Sequence, residues 1–251
     1  MSHLALRRVV VRLLHDPGFA AALAADPDHA LAEIDLDAAE RTWLLATPAA
    51  AWRTDPARPT RVLAALAAEF PATLALVPER ARTFFASPAF HAAVQERGSL
   101  AAAFAEHLAC EGGARVRAVA RLEGAIAERR RAGRARAPRP GELRLAPHLA
   151  VVRVAAGALD LLAALRAGNR GSSVGPGEEP VLVVVPPGGE ATIEPLAPAL
   201  AALLELARDG VSRAALAAEV RRQGADPGEE DEIIDALISD RSLVGADGSR
   251  R

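Results

Sequence analysis

The sequence predicts a mainly α protein with a small α+β part: an N-terminal helical bundle followed by a C-terminal mixed domain. Three observations carry this. Residues 1–131 show short apolar stripes at three- and four-residue steps, cut by Asp-Pro and Ser-Pro pairs. Residues 132–142 are rich in Arg, Pro and Gly and hold no large apolar side chain, a linker composition. Residues 143–251 change to Val-rich runs and then three short helical patterns.

In the first domain, Leu4, Leu6, Val9, Val10, Leu13 and Leu14 form one helical stripe. Asp16-Pro17 and Asp26-Pro27 each restart the chain, with Asp as N-cap and Pro at the first helical position. Asp37 starts a fourth helix carrying Trp43 and Leu44, and Pro48 ends it. A longer helix is expected from Pro59 to Phe70, with a stop or bend at Pro71. Leu74, Leu76 and Val77 make a brief apolar run. A Phe84-Phe85 turn follows, then a Ser87-Pro88 cap, a Ser99 start, a Gly112-Gly113 break and a last helix over 114–131. The arginines from Arg129 onward read as a solvated connector, the sharper alternative being a clamp for an acidic partner.

In the second domain, Leu143, Leu145 and Val151–Val154 are short β-type runs, and 155–167 reads as helix. Gly168–Pro180 is a Gly/Ser-rich loop, and Val181–Val185 gives the strongest strand signal. Pro186–Gly189 turns the chain into a returning strand at Ala191–Ile193. Helices follow over 196–208, 212–223 and 229–240, and Leu243-Val244 is a last strand or wing. A hairpin, three helices and a terminal strand make this domain winged-helix-like.

Composition removes much chemistry. All 30 basic residues are arginine, tyrosine is absent, and Cys110 is the single cysteine. Lysine Schiff bases and phosphate-loop lysines are excluded, as are phenolic acids, internal disulfides and thiolate zinc cages. The formal net charge of −2 lacks the basic excess of a dedicated nucleic-acid binder. No apolar run is long enough to span a bilayer, and no signal peptide is read at the N-terminus, so a cytoplasmic location is expected.

Catalytic motifs are likewise missing: there is no HExxH, no GxSxG and no phosphate loop. The nearest metal-like group is His107 with Cys110, flanked by Glu106 and Glu111; two helical ligands are too few for a metal site, and a free-standing enzyme built on them is the weakest reading. The acidic run Glu229–Glu232 suits a helix N-terminus without any catalytic role. No catalytic residue, metal ligand or resident cofactor is therefore assigned.

A winged-helix domain serves either DNA reading or peptide capture. For DNA, Arg213, Arg221 and Arg222 lie on the better-placed helix, while the next helix is acidic. For peptide capture, an extended segment adds to a strand edge while a neighbouring helix supplies apolar pockets. The expected peptide-binding residues are Val181, Val183, Val185, Thr192, Ile193, Arg221, Arg222, Ile233 and Leu237. With 3% aromatic residues, such a groove must rest on Val, Ile, Leu and Arg.

The run RVLAALAAEFPATLALVPERARTFFASPAFHAAVQERGSLAAAFAEHLA resembles the N-terminal helical domain of partner proteins of multinuclear non-heme iron-dependent oxidative enzymes. The carrying features are Phe70-Pro71, the Phe turn with Ser87-Pro88, and Gly98-Ser99-Leu100 before Phe104. The run EEPVLVVVPPGGEATIEPLAPALAALLELARDGVSRAALAAEV is similar to the C-terminal domain of the same partners. It also resembles the small winged-helix recognition element for precursors of ribosomally made, modified peptides. The likeness covers roughly residues 55–245. Residues 16–46 are similar to short helical leader-like or accessory segments of these pathways. The resemblance implies a non-catalytic subunit that binds the precursor's leader and forms a heterodimer with a barrel-fold iron enzyme. Iron and its ligands would sit in that enzyme, which oxidises the core peptide. The alternative kept beside it is a winged-helix transcriptional regulator; nucleic acid and membrane are not expected partners.

Overall fold

The structure is a computed structural model, and it describes residues 3–53, 55, 57–96, 98–110, 112–131, 138–169 and 173–246. The chain is mainly helical with two small three-stranded antiparallel sheets. It divides into two compact units, Met1–Gly124 and Ala125–Arg251.

Among the described residues of the first unit every secondary-structure element is helical. It begins with α1 (Leu4–His15), α2 (Pro17–Ala25), α3 (Pro27–Ala30) and α4 (Ala38–Ala46). The Asp-Pro pairs act as expected: Asp16 accepts from the Phe19 amide at 3.0 Å and Asp26 from the His29 amide at 3.1 Å. Each proline occupies a position whose N–H would have no intrahelical partner. Asp37 and Glu40 form a reciprocal capping box at α4. A 3-10 segment, Ala49–Arg53, precedes α5 (Arg58–Ala67), which stops short of the predicted Phe70.

Pro71 does more than bend the chain, because it opens a new helix, α6 (Pro71–Leu76). A 3-10 stretch over Pro78–Ala86 then leads to α7 (Pro88–Glu96), α8 (Leu100–Ala109) and α9 (Ala114–Arg131). Ser87 and Ser99 accept from the Phe90 and Ala102 amides, each at 3.2 Å. Five of the six phenylalanines pack edge on or tilted: Phe84 lies 5.0 Å from Phe104, 5.3 Å from Phe90 and 5.5 Å from Phe85, and Phe70 lies 5.2 Å from Phe104.

Glu123 on α9 is 2% exposed. Its carboxylate accepts from the Ala72 amide at 2.9 Å, the Thr73 amide at 2.8 Å and the Thr73 hydroxyl at 2.7 Å. It thus caps α6 from a distance of about fifty residues in sequence, where no side chain at Phe70 could. The next residue has no side chain for a steric reason: a Cβ on Gly124 would stand 2.9 Å from the Ala105 Cβ. His15 and His91 are held below the ordinary imidazole range. Burial is the main cause in both, followed by Arg58 for His15 and Arg12 for His91.

The second unit takes in the end of α9, then β1 (Glu142–Leu145), β2 (Leu149–Ala155), α10 (Ala158–Arg166), β3 (Glu178–Val184) and β4 (Thr192–Pro195). It closes with α11 (Pro198–Leu206), β5 (Val211–Ser212), α12 (Arg213–Arg222), α13 (Glu230–Ser239) and β6 (Leu243–Gly245). The expected linker of residues 132–142 is shorter at its end, because Glu142 already pairs with Ser212. Residues 132–137 of that linker, and 170–172 of the Gly/Ser-rich loop, lie outside the described residues.

The β runs are not one sheet. In the first sheet β1 lies between β5 and β6; in the second β3 lies between β2 and β4. The two-residue β5 has no sequence signal of its own. It forms because Gly210, at φ +99°, turns the chain beside Glu142, where a Cβ would collide with the Glu142 carboxylate.

Replacing Glu123 with Ala leaves three buried donors without their acceptor and should cost about 3 kcal/mol in urea unfolding. Gln, which retains one acceptor oxygen, should cost less. Because both histidines have depressed folded pKa values, their contribution is complete above about pH 6.5 and falls as pH drops toward those values. Urea midpoints of the helical unit should therefore fall between pH 7.5 and 5, and less so once both are replaced by Gln.

Candidate functional site

The second sheet defines the candidate site, and hydrogen-bond parity within it decides what is available. Val185 donates to His148 at 2.8 Å, which fixes the phase of the β2–β3 ladder. The register then has Val181 and Val183 exchanging bonds with β2, while Leu182 and Val184 turn their polar groups to β4. Leu196 donates to Pro180 at 3.0 Å, which fixes the β3–β4 phase in the same way. Thr192 and Glu194 are therefore the bonded residues of β4. Ile193 directs its N–H and C=O away from β3, and Pro195 sits where no ladder donor is lost.

The two outer edges of the sheet differ. On β2 the outward Val151 carbonyl accepts from the Arg208 guanidinium at 3.1 Å. Beside it, Arg153 and Glu205 form a two-pronged ion pair, each contact 2.9 Å. The β4 edge carries no such cover among the described residues. Of the two segments expected to receive a peptide, Val181–Val185 is central and engaged on both sides; only the β4 segment offers an open edge.

Side chains divide by the two-residue period of a strand. Val181 and Val183 are fully buried and Val185 is 5% exposed. Val183 and Val185 pack with Ile126, and half-buried Ile193 joins them. Leu237, 7% exposed, and half-buried Ile233 belong to a different cluster, built from α11–α13 with Leu149 and Val151. The β3 residues that reach this cluster are Leu182 and Val184, neither of which was among the expected site residues. The expected apolar site residues are thus sorted onto two faces of the sheet. Thr192 is exposed, directly opposite Val184 on the helix-packed face. The run Glu178–Val185 hid this phase because its apolar residues do not alternate with polar ones.

The arginines of α12 are engaged by carboxylates. Arg213 reaches Asp231 and Asp235, both at 2.8 Å. Arg221 reaches Glu230 at 3.1 Å, and Arg222 pairs with Glu219. Glu219 is held below the usual carboxylate range chiefly by the Gln223 amide and then by Arg222. Glu230 is lowered by its own amide and that of Gly228, then by Arg221; Asp235 is lowered by Arg213. The exposed face of α13 carries Asp231, Glu232 and Asp235, so this helix pair presents little free positive charge to phosphate.

In the first unit, the His107 Nε2–H donates to the Arg80 carbonyl at 2.7 Å, and the ring lies 5.7 Å from Phe84. That nitrogen ties α8 to the 3-10 stretch and is not offered to a metal. Cys110 is exposed, and Glu111 lies outside the described residues. Among the described residues no group of three or more His, Cys, Asp or Glu is placed to hold a metal ion, and no helix is long and apolar enough to cross a membrane.

No known protein family matches the chain, and no curated protein matches it.

Two proline substitutions separate the roles of the strands. Val183→Pro removes a buried ladder donor and should cost at least about 3 kcal/mol, read as a lost thermal transition. Ile193→Pro removes only an outward N–H and half-buried contacts, so it should cost about 1 kcal/mol. The lowered carboxylates of α12–α13 contribute stability that is complete above their unfolded pKa and is lost as pH falls through the folded values. The melting transition of the second unit should hold steady down to about pH 5 and weaken below about pH 4.

Proposed function

We propose that this chain is a non-catalytic partner subunit that binds the leader of a ribosomally made precursor peptide and presents its core to an iron-dependent oxidative enzyme. The observation that carries the reading is the open edge of β4. Ile193 offers one donor and one acceptor outward, and the sheet behind it is braced on both faces by apolar packing. An extended peptide can continue the ladder there, main chain to main chain, with alternate side chains meeting the two faces.

The order α11, β5, α12, α13, β6, with β1 between β5 and β6, supports the winged-helix reading of this unit. The helical first unit would serve as the docking body for the enzyme in a heterodimer. In this reading iron and its ligands belong to that enzyme, and the present chain contributes position. Tethering the leader raises the effective concentration of the core at the active centre to the millimolar range (about 1 mM) without any new contact to the reacting atoms. The engaged arginines of α12 argue against DNA as the ligand.

Titration of the full chain with the precursor encoded beside its gene, alone and with the iron enzyme, tests the proposal. Saturable binding that Ile193→Pro weakens by about tenfold or more, with the thermal transition retained, is the expected result. Absence of binding in both arms, or salt-sensitive binding of upstream DNA instead, would overturn it.

A further inference from the structure

Two carboxylates lie along the outer side of the β3–β4 hairpin, Glu190 just before β4 and Glu194 within it. Both are exposed, and among the described residues neither has a hydrogen-bond or ion-pair partner. The guanidiniums that brace this sheet act at the opposite edge, Arg153 on Glu205 and Arg208 on the Val151 carbonyl. The imbalance extends beyond the hairpin: residues 143–246 hold fifteen carboxylates against nine arginines. A cationic segment is therefore drawn toward this unit and an anionic one is held off.

Backbone parity turns that charge into a preference at one position. Ile193 directs its N–H and C=O outward, so an added antiparallel strand centres its bonding on Ile193. The residue opposite Ile193 lies on the face that Ile193 shares with Val183, where Ile126 and Val185 pack. Its two neighbours lie on the other face, one directly opposite Thr192 and one directly opposite Glu194. Both are non-hydrogen-bonded positions, where facing Cβ atoms come within about 5.5 Å; opposite charges there stabilise the pairing and like charges oppose it. Acidic, neutral and basic strands would make the same main-chain bonds, so the Glu194 carboxylate supplies the discrimination. We propose, on the reading of β4 as the peptide-receiving edge, that the segment it receives alternates in type, with an apolar residue on Ile193 and a lysine or arginine opposite Glu194. The pair stays partly solvated, so its effect is a few-fold change in affinity.

Three blocked heptapeptides test this by calorimetric titration of the full chain: KVKVKVK, SVSVSVS and EVEVEVE. Their repeat keeps the varied residue on the Glu194 face in every register that seats valine on Ile193. Work at about 0.15 M salt screens the distant charges. The expected affinities fall in the order lysine, serine, glutamate, with about threefold between the first two and about tenfold between the first and last. Ile193→Pro should weaken all three. E194K should invert the lysine and glutamate peptides, whereas E190K, an equal change of charge off the strand, should keep the wild-type order. If E194K lowers the thermal transition, E194Q replaces it and should bring the three affinities within about threefold of one another. The proposal is overturned if no peptide binds, if the three bind alike, if E194K and E194Q keep the wild-type order and spacing, or if E190K inverts the order as well. It fails separately from the precursor reading. A precursor leader that Ile193→Pro weakens but E194K leaves unchanged removes the charge preference alone; heptapeptides that follow the expected order, beside a leader that does not bind, remove the precursor reading alone.

Discussion

A buried carboxylate on α9 decides how the helices of the first unit can be arranged. Pro71 starts α6 without an N–H to satisfy, but the next two amides remain, and both are buried. No local residue caps them. Glu123 supplies the acceptor, and it does so only if α9 runs past the start of α6 at hydrogen-bond distance. Gly124, the next residue, lets α8 come close on that same stretch. Once these backbones are fixed, the edge-on phenylalanines have one arrangement left to fill. A charged group held by three donors is direction-sensitive in a way that apolar contact is not, so it selects a packing that the Ala-rich helices alone would leave loosely specified.

In the second unit a comparable constraint acts through the backbone. A strand residue shows its polar groups to one neighbour only, and two loop hydrogen bonds, Val185 to His148 and Leu196 to Pro180, set the phase for the whole sheet. The consequence is asymmetric edges. One is closed by Arg208 and the Arg153–Glu205 pair; the other ends on Ile193 with its groups directed outward. An open edge is a liability unless it is short or used. Here it is four residues long and ends in proline, which limits indiscriminate pairing and leaves room for one specific strand.

Much of the fold was legible because its punctuation is chemical. Asp16, Asp26, Asp37, Ser87 and Ser99 each start a helix by a bond their side chains make within three residues, and such local bonds can be read from sequence. The three closing helices match the apolar periodicity to within a few residues. What escaped depends on distant partners. Glu123 looks like any helix-surface acid until α6 is beside it, and β5 exists only because Glu142 is opposite. The candidate site was half legible. The returning strand near Ile193 and the helices carrying Ile233 and Leu237 were found, but an all-Val strand conceals which residues face which way. Leu182 and Val184, rather than Val181 and Val183, therefore turned out to share the helical cluster with Ile233.

The distribution of aromatic rings has a practical side. Every phenylalanine and tryptophan lies in the first unit, and residues 125–251 contain none. Trp43 is half exposed and stacks edge-on against Trp52 at 6.1 Å, so its emission reports on the region around α4. The β4 edge and the helices beside it are optically dark above the peptide absorption band. Fluorescence thus follows one half of the molecule alone, while far-ultraviolet dichroism follows both, and comparing the two signals during unfolding separates the units without cutting the chain. A tryptophan carried on an added peptide would in turn shine against a silent background.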